Sequence, residues 1–353
     1  MIRFLFKWIK RLVLLLSVLA IGIGGLVGYN EVACIPKPRA NEYAAILPPE
    51  HHRAESRTLM TYPEWHIVHA YDDYAKVISE ADPHQFSYLG AIRGFWSSLC
   101  ALSFASADHG GFNAESKQTI YVIGASFTAE LLFKAAYEET IGRVMTMARG
   151  NDRTPLDDLS AQQATNYALF LQQTPWYKWD FAADAAALSD AATEAPRDME
   201  RRIALGLEYA AKQTYAGVIA DAVADIGADE LTLRMIVQGI DQDALEALED
   251  ISVIGPQGEA FEIETPRYRA LTELLRYLAS AGADFVEIAG NDDILFTATS
   301  EAEDVEGALH SFARQGYGDT RHLILIKVTE LAARLRAMEA EEGGLRLEHI
   351  HDY

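Results

Sequence analysis

Cysteine is nearly absent: Cys34 and Cys100 are the only two in 353 residues. No CxxC, CxxCH or four-ligand zinc spacing exists, so c-type haem attachment and a zinc ribbon have no support. The pair is able to close one disulfide in an oxidising compartment, but the sequence leaves their pairing open. GxSxG, Walker, dinucleotide-binding glycine, SxxK and HExxH patterns are missing too, and with them the marks of the common hydrolases and nucleotide enzymes. Positive charge is scarce: 30 Lys and Arg face 52 Asp and Glu, a net −22. Such a surface repels phosphate backbones, which excludes a nucleic-acid partner, and it stands off anionic headgroups. Solubility explains the excess acid; attraction of a basic partner or a divalent cation is the sharper alternative.

One uncharged apolar run is present, and it comes at the start. Residues 12–28 carry no charge and follow Arg3, Lys7, Lys10 and Arg11. At about 1.5 Å per residue they span roughly 25 Å, and Ile9 and Tyr29 extend this towards the ~30 Å of a bilayer core. Lys10 and Arg11 can snorkel, Trp8 and Tyr29 suit the two interfaces, and the positive-inside rule puts the N-terminus in the cytoplasm. Small residues do not precede a cut after the run, so an uncleaved anchor is expected rather than a removed signal peptide. Ala33 before Cys34 is a faint lipobox, with Glu31 where an apolar residue is wanted. The first 29 residues hold four positive charges and no acid, so the net −22 becomes −26 for the remainder. That remainder is expected on the periplasmic side of a bacterial inner membrane, with other envelope proteins as partners.

Length beyond the anchor implies two domains. Residues 30–57 hold Pro36, Pro38, Pro48 and Pro49 without an apolar period, which reads as an extended linker. Residues 58–225 read as a helical bundle, with helices over 64–79, 86–105, 117–147, 160–173 and 197–224. Segments 86–105 and 120–133 are apolar enough to suggest a membrane hairpin. Arg93, Glu130 and Lys134 would be costly in lipid, so buried bundle helices are expected. Residues 226–353 alternate short β-branched runs with helices. Strands at 261–264, 285–288, 294–299 and 322–328, helices at 268–280 and 301–314, and a hairpin turn at 290–293 give β-α-β-β-α-β. This is a ferredoxin-like unit, extended by a strand at 231–240, a helix at 330–340 and a strand at 345–350. The expected class is α+β: transmembrane helix, helical bundle, then ferredoxin-like domain. That fold hosts many functions and carries little functional weight.

Four segments, TYPEWHIVHAYDDY, VIGASFTAELLFKAAYEETIGR, FLQQTPWYKWDF and the closing LEHIHDY, resemble parts of an uncharacterised family of single-pass bacterial inner-membrane and envelope proteins. That family has no established activity. The resemblance implies the anchor and the two-part layout, and it transfers no catalytic residues.

Three constellations are capable of carrying chemistry. His66, His69 and Asp73 fall within about 60° on one helix, away from the apolar stripe of Ile67, Tyr71, Tyr74 and Ile78, as on a solvated face. They are the candidate ligands for a divalent metal, the one cofactor the sequence leaves room for. Glu130, Lys134, Tyr137 and Ile141 recur at the same spacing as Glu208, Lys212, Tyr215 and Ile219. The simple reading is two intrahelical i,i+4 pairs. If the two faces meet, a buried Glu, Lys and Tyr cluster results that is able to act in proton transfer or to fix helix register. Trp176, Tyr177 and Trp179 can stack on a ring-bearing ligand or a partner, or fill a packing gap. His349, His351 and Tyr353 alternate onto one side of the last strand and read as a polar edge. A binding or assembly protein is expected, with a tethered enzyme or metal-binding protein as the alternative.

Overall fold

The computed structural model describes residues 2–226 and 231–353. Residues 227–230, at the expected boundary between the two parts, lie outside the described residues, as do the side chains of Arg3, Lys7 and Trp8. The protein is mixed α+β. Helix α1 (Ile2–Ala33) is unbroken. It is followed by α2 (Ser56–Glu80), α3 (Tyr88–Ala105), α4 (Ala114–Tyr137), α5 (Arg143–Arg149), α6 (Pro155–Leu171), α7 (Phe181–Ala191) and α8 (Pro196–Ile226). A π-helical turn, Glu138–Gly142, joins α4 to α5. It turns Glu138 inward, and a side chain on Gly142 would collide with the Glu138 carboxylate. Among the described residues, Ala114–Arg149 alone is long and apolar enough to cross a membrane by length and composition, and Ser17–Ala33 is a shorter apolar helix.

The bundle core follows the apolar period. Tyr74, Ile78, Phe86, Ile92, Phe95, Leu99, Ile120, Phe127 and Leu131 form one buried cluster, and Leu26 and Val27 at the end of α1 lean on it. Each fully buried Leu, Ile or Phe side chain contributes about 1.5–3 kcal/mol. Cys34 and Cys100 are joined in a disulfide that ties the end of α1 to α3. Helix α2 begins two turns earlier than expected and runs through Pro63. Tertiary bonds hold its first turns: Thr58 Oγ1 donates to the His351 carbonyl and accepts from Leu295 N at 3.0 Å.

The C-terminal part is two antiparallel four-stranded sheets. The first contains β1 (Thr232–Gln238), β2 (Ser252–Gln257), β3 (Ala260–Pro266) and β4 (Asp284–Ile288), in the order β2-β3-β1-β4. The second contains β5 (Asp293–Ser300), β6 (Ala308–Ala313), β7 (Thr320–Lys327) and β8 (Arg346–His351), in the order β6-β7-β5-β8. Between these strands lie α9 (Gln242–Glu246), α10 (Tyr268–Ser280) and α11 (Val328–Glu339). The single unit expected over 261–328 is therefore corrected, because its strands are divided between two sheets. Residues 301–314 form a loop and strand β6 rather than a helix, and residues 290–293 link the sheets rather than closing a hairpin within one.

The two sheets repeat each other in register. Met235 pairs with Ile263, and 61 residues on from each, Phe296 pairs with Ile324. Both sheets shift register at matching places, between Ile236 and Val237 against β4 and between Thr297 and Ala298 against β8. One core fills the space they share with α10 and α11, through Met235, Ile263, Leu275, Phe285, Phe296, Ile324, Leu331 and Ile350. Alternation sends Leu295 and Leu323 to the opposite face, where they meet Leu59, Tyr62 and Trp65 of α2. The second sheet is thus covered on both faces. The outer face of the first is covered by the expected linker, which is held against it: Leu47 packs on Ile236 and Ala260. Buried Glu287 accepts from Tyr43 Oη, Ile46 N and Leu47 N at 2.6–2.8 Å.

Candidate functional site

Two of the resemblance-bearing segments meet where α2 lies against β8. Trp65 stacks on His349 with 3.4 Å between ring centres, and Tyr62 meets His351 edge-on. His66 Nε2 donates to the Ala91 carbonyl at 2.9 Å, and Gly94 lets the α3 backbone approach that imidazole. Asp73 accepts from Gln315 N at 3.0 Å, with Arg321 3.9 Å and Arg314 4.0 Å away. Arg321, fully buried, pairs with Glu348 through Nε and Nη2, and His69 Nε2 lies 3.6 Å from Glu348 Oε2. Five buried atoms here have no hydrogen-bond partner in the protein: His69 Nε2, Asp73 Oδ1, Arg314 Nε and both His351 nitrogens.

Burial sets the charge state of this centre. It pushes His66 and His351 down to about 3 and His69 and His349 well below their usual value, so the imidazoles are neutral. It raises Asp73 to about 6 against the pull of Arg321. Glu348 stays low because Arg321 outweighs its burial. The expected solvated face is corrected: His66, His69 and Asp73 are buried, because α2 is packed on both sides and the face opposite its apolar stripe meets the second sheet. Their three ligand atoms do not all lie within 4.8 Å of one another. The polar edge expected of His349, His351 and Tyr353 is likewise buried.

The repeated Glu and Lys residues do meet, and the repeated tyrosines Tyr137 and Tyr215 stay outside the cluster they form. Lys134 lies 3.0 Å from Glu208, Lys212 lies 2.9 Å from Glu130 and 3.0 Å from Glu208, and all four are partly buried. The tyrosine that joins them comes from α2: Tyr71 donates to Glu130 at 2.6 Å. Tyr137 donates instead to Glu200, and Tyr215 is exposed beside Trp176. The ladder continues through Arg201 to Glu138 at 2.9 Å, Arg197 to Glu200 and Asp157 at 2.9 Å, and Arg149 to Asp157 at 2.7 Å. Burial disfavours charge throughout, yet the opposed partners win: Glu208 falls to about 2, and Lys134 and Lys212 rise. The cross-helix pairs tie α4 to α8 along this seam. Sequence reasoning missed Arg197, Glu138 and Asp157, which reach the ladder from different helices without a shared local motif.

The aromatic stretch packs inward. Trp179 Nε1 donates to Asp184 at 2.7 Å, and its ring meets Tyr167 and Phe170. Trp176 and Tyr177 are partly buried beside Phe181. Outside the ladder, two rows of apolar side chains face solvent. Val122, Phe133, Val144 and Met147 on α4 and α5 are 53–76% exposed, and Met199, Ile203, Leu207 and Val218 on α8 are 44–69% exposed. At 100° per residue, Phe133 lies within about 60° of Glu130 and Tyr137, and Leu207 within about 60° of Glu200. Those neighbours reach across to the other helix, so the rows border one seam.

Compared with models of protein families, with curated proteins and with solved structures, the chain matches none.

Proposed function

We propose that this chain is a membrane-anchored binding or assembly protein of the bacterial envelope that engages another envelope protein through the α4–α8 face. The observation that carries the reading is the exposed apolar rows at this seam, since contiguous apolar surface marks interaction sites. The ladder beside these rows is ion-paired, and the histidine centre lies apart from them, where α2 meets the second sheet. The anchor reading is supported by the continuous α1 helix, whose Val13, Leu14, Val18 and Ile21 are left uncovered. The Cys34–Cys100 disulfide fits an oxidising compartment on the far side of the membrane. The matching strand orders support reading each sheet as a ferredoxin-like unit, its first crossover helix reduced to α9 in one and to a loop in the other.

Gentle detergent extraction followed by co-purification and mass spectrometry tests the proposal. A partner retained by the native chain and lost on Phe133→Asp with Leu207→Asp supports it. A monodisperse protein with no partner, or one whose partner ignores both changes, overturns it.

A further inference from the structure

Three ligand-type side chains from separate segments converge away from the sites above. Glu55 immediately precedes α2, His109 ends the 3-10 turn after α3, and Asp293 opens β5. His109 Nδ1 lies 3.0 Å from Glu55 Oε2 and 3.9 Å from Asp293 Oδ2. Among the described residues this is the one set of three or more His, Cys, Asp or Glu whose ligand atoms all lie within 4.8 Å of one another. A tetrahedral ion with bonds of about 2.0–2.2 Å holds its ligands roughly 3.3–3.6 Å apart, which falls between the two distances.

We propose that Glu55, His109 and Asp293 form a binding site for a divalent cation of the zinc type. Their side chains are 2, 9 and 14% exposed respectively, so the donors are withdrawn from bulk water. Neighbouring groups hold them in place. Asp293 N donates to Glu55 Oε1 at 3.2 Å, and the Asn41 amide donates to Glu55 Oε2. The Tyr353 hydroxyl donates to the Asp293 carbonyl. Such outer bonds orient metal ligands. One imidazole and two carboxylates suit Zn²⁺ better than Ca²⁺ or Mg²⁺, which favour all-oxygen shells, and three protein ligands leave a fourth position for water. Lys327 Nζ, 2.6 Å from Asp293 and 2.8 Å from Asp292, is the charge a cation would displace. It is half-exposed on a flexible stem and is free to swing out. The ion would join the segment after the anchor, the end of α3 and the second sheet. This inference is independent of the docking face.

The full chain, extracted in detergent, purified without a polyhistidine tag and stripped with chelator, is titrated calorimetrically with ZnCl₂. One ion per chain is expected. His109→Ala and Asp293→Asn should each weaken binding by roughly 100-fold or more, beyond the 10–100-fold typical of outer-shell changes. Lys327→Ala should tighten it several-fold, the opposite of what loss of a purely structural ion pair would do. Melting temperature provides a second readout: Zn²⁺ should raise it in the native chain and leave Asp293→Asn unmoved. No binding at about 100 µM free ion, or binding that neither His109→Ala nor Asp293→Asn weakens, overturns the site.

Discussion

Lys134 of α4 crosses to Glu208 of α8 at 3.0 Å, and Lys212 crosses back to Glu130 at 2.9 Å. Glu208 therefore serves both lysines, whereas Glu130 shares Lys212 with it. Glu208→Ala should cost about 3–5 kcal/mol by leaving two partly buried ammonium groups short of a partner. Glu130→Ala leaves Lys212 paired with Glu208 and removes the acceptor of the Tyr71 hydroxyl, which should cost about 1–3 kcal/mol. Urea unfolding of both variants checks this. Losses under about 1 kcal/mol for each would make the ladder ordinary helix surface.

The histidine centre should make stability depend on pH. His66 and His351 are pushed down by burial from near 6.5 to about 3. Above pH 6.5 neither state is protonated and their contribution is complete. Below it the unfolded chain takes up protons that the folded chain refuses, and stability falls towards pH 3 by up to about 1.4 kcal/mol per pH unit for each group. Asp73, raised by burial from 3.8 to about 6, acts in the other direction, adding stability at low pH that is lost as pH rises towards 6. Two histidines outweigh one carboxylate, and His69 and His349 shift the same way. Melting temperature should drop between pH 6.5 and 4.5, with a shallower drop in His351→Asn. A flat profile would contradict the burial of these rings.

The disulfide spans 66 residues, and opening it by Cys100→Ser should cost about 4 kcal/mol in the chain-entropy account. Thiol alkylation in intact cells, read as a mass shift, should find neither cysteine free. Quantitative labelling of both would place the region beyond α1 in a reducing compartment.

Much of the fold was legible in apolar spacing. The stripe Ile67, Tyr71, Tyr74 and Ile78 identifies α2, and β-branched runs locate β1, β5 and β7. Val305, Leu309 and Phe312 imitate a helical period, and pairing with β7 makes residues 308–313 a strand instead. A helical wheel has one apolar face to find. It does not reveal that α2 has a second buried face, where His66, His69 and Asp73 meet Arg321 and Glu348 from the far end of the chain. The echo between residues 130–141 and 208–219 did locate the α4–α8 seam. It could not show that Tyr71 would supply the hydroxyl, because that depends on a third helix. Glu55, His109 and Asp293 carry no local motif, and only the tertiary fold brings them together.

We propose that another envelope protein docks on the α4–α8 face. A photocrosslinking amino acid at position 207, in cells carrying the full chain, tests it most directly. One discrete protein adduct of defined mass is expected, absent when the same residue stands at exposed position 306. A position-207 sample that shows no adduct, or only the diffuse background seen at 306, would contradict it.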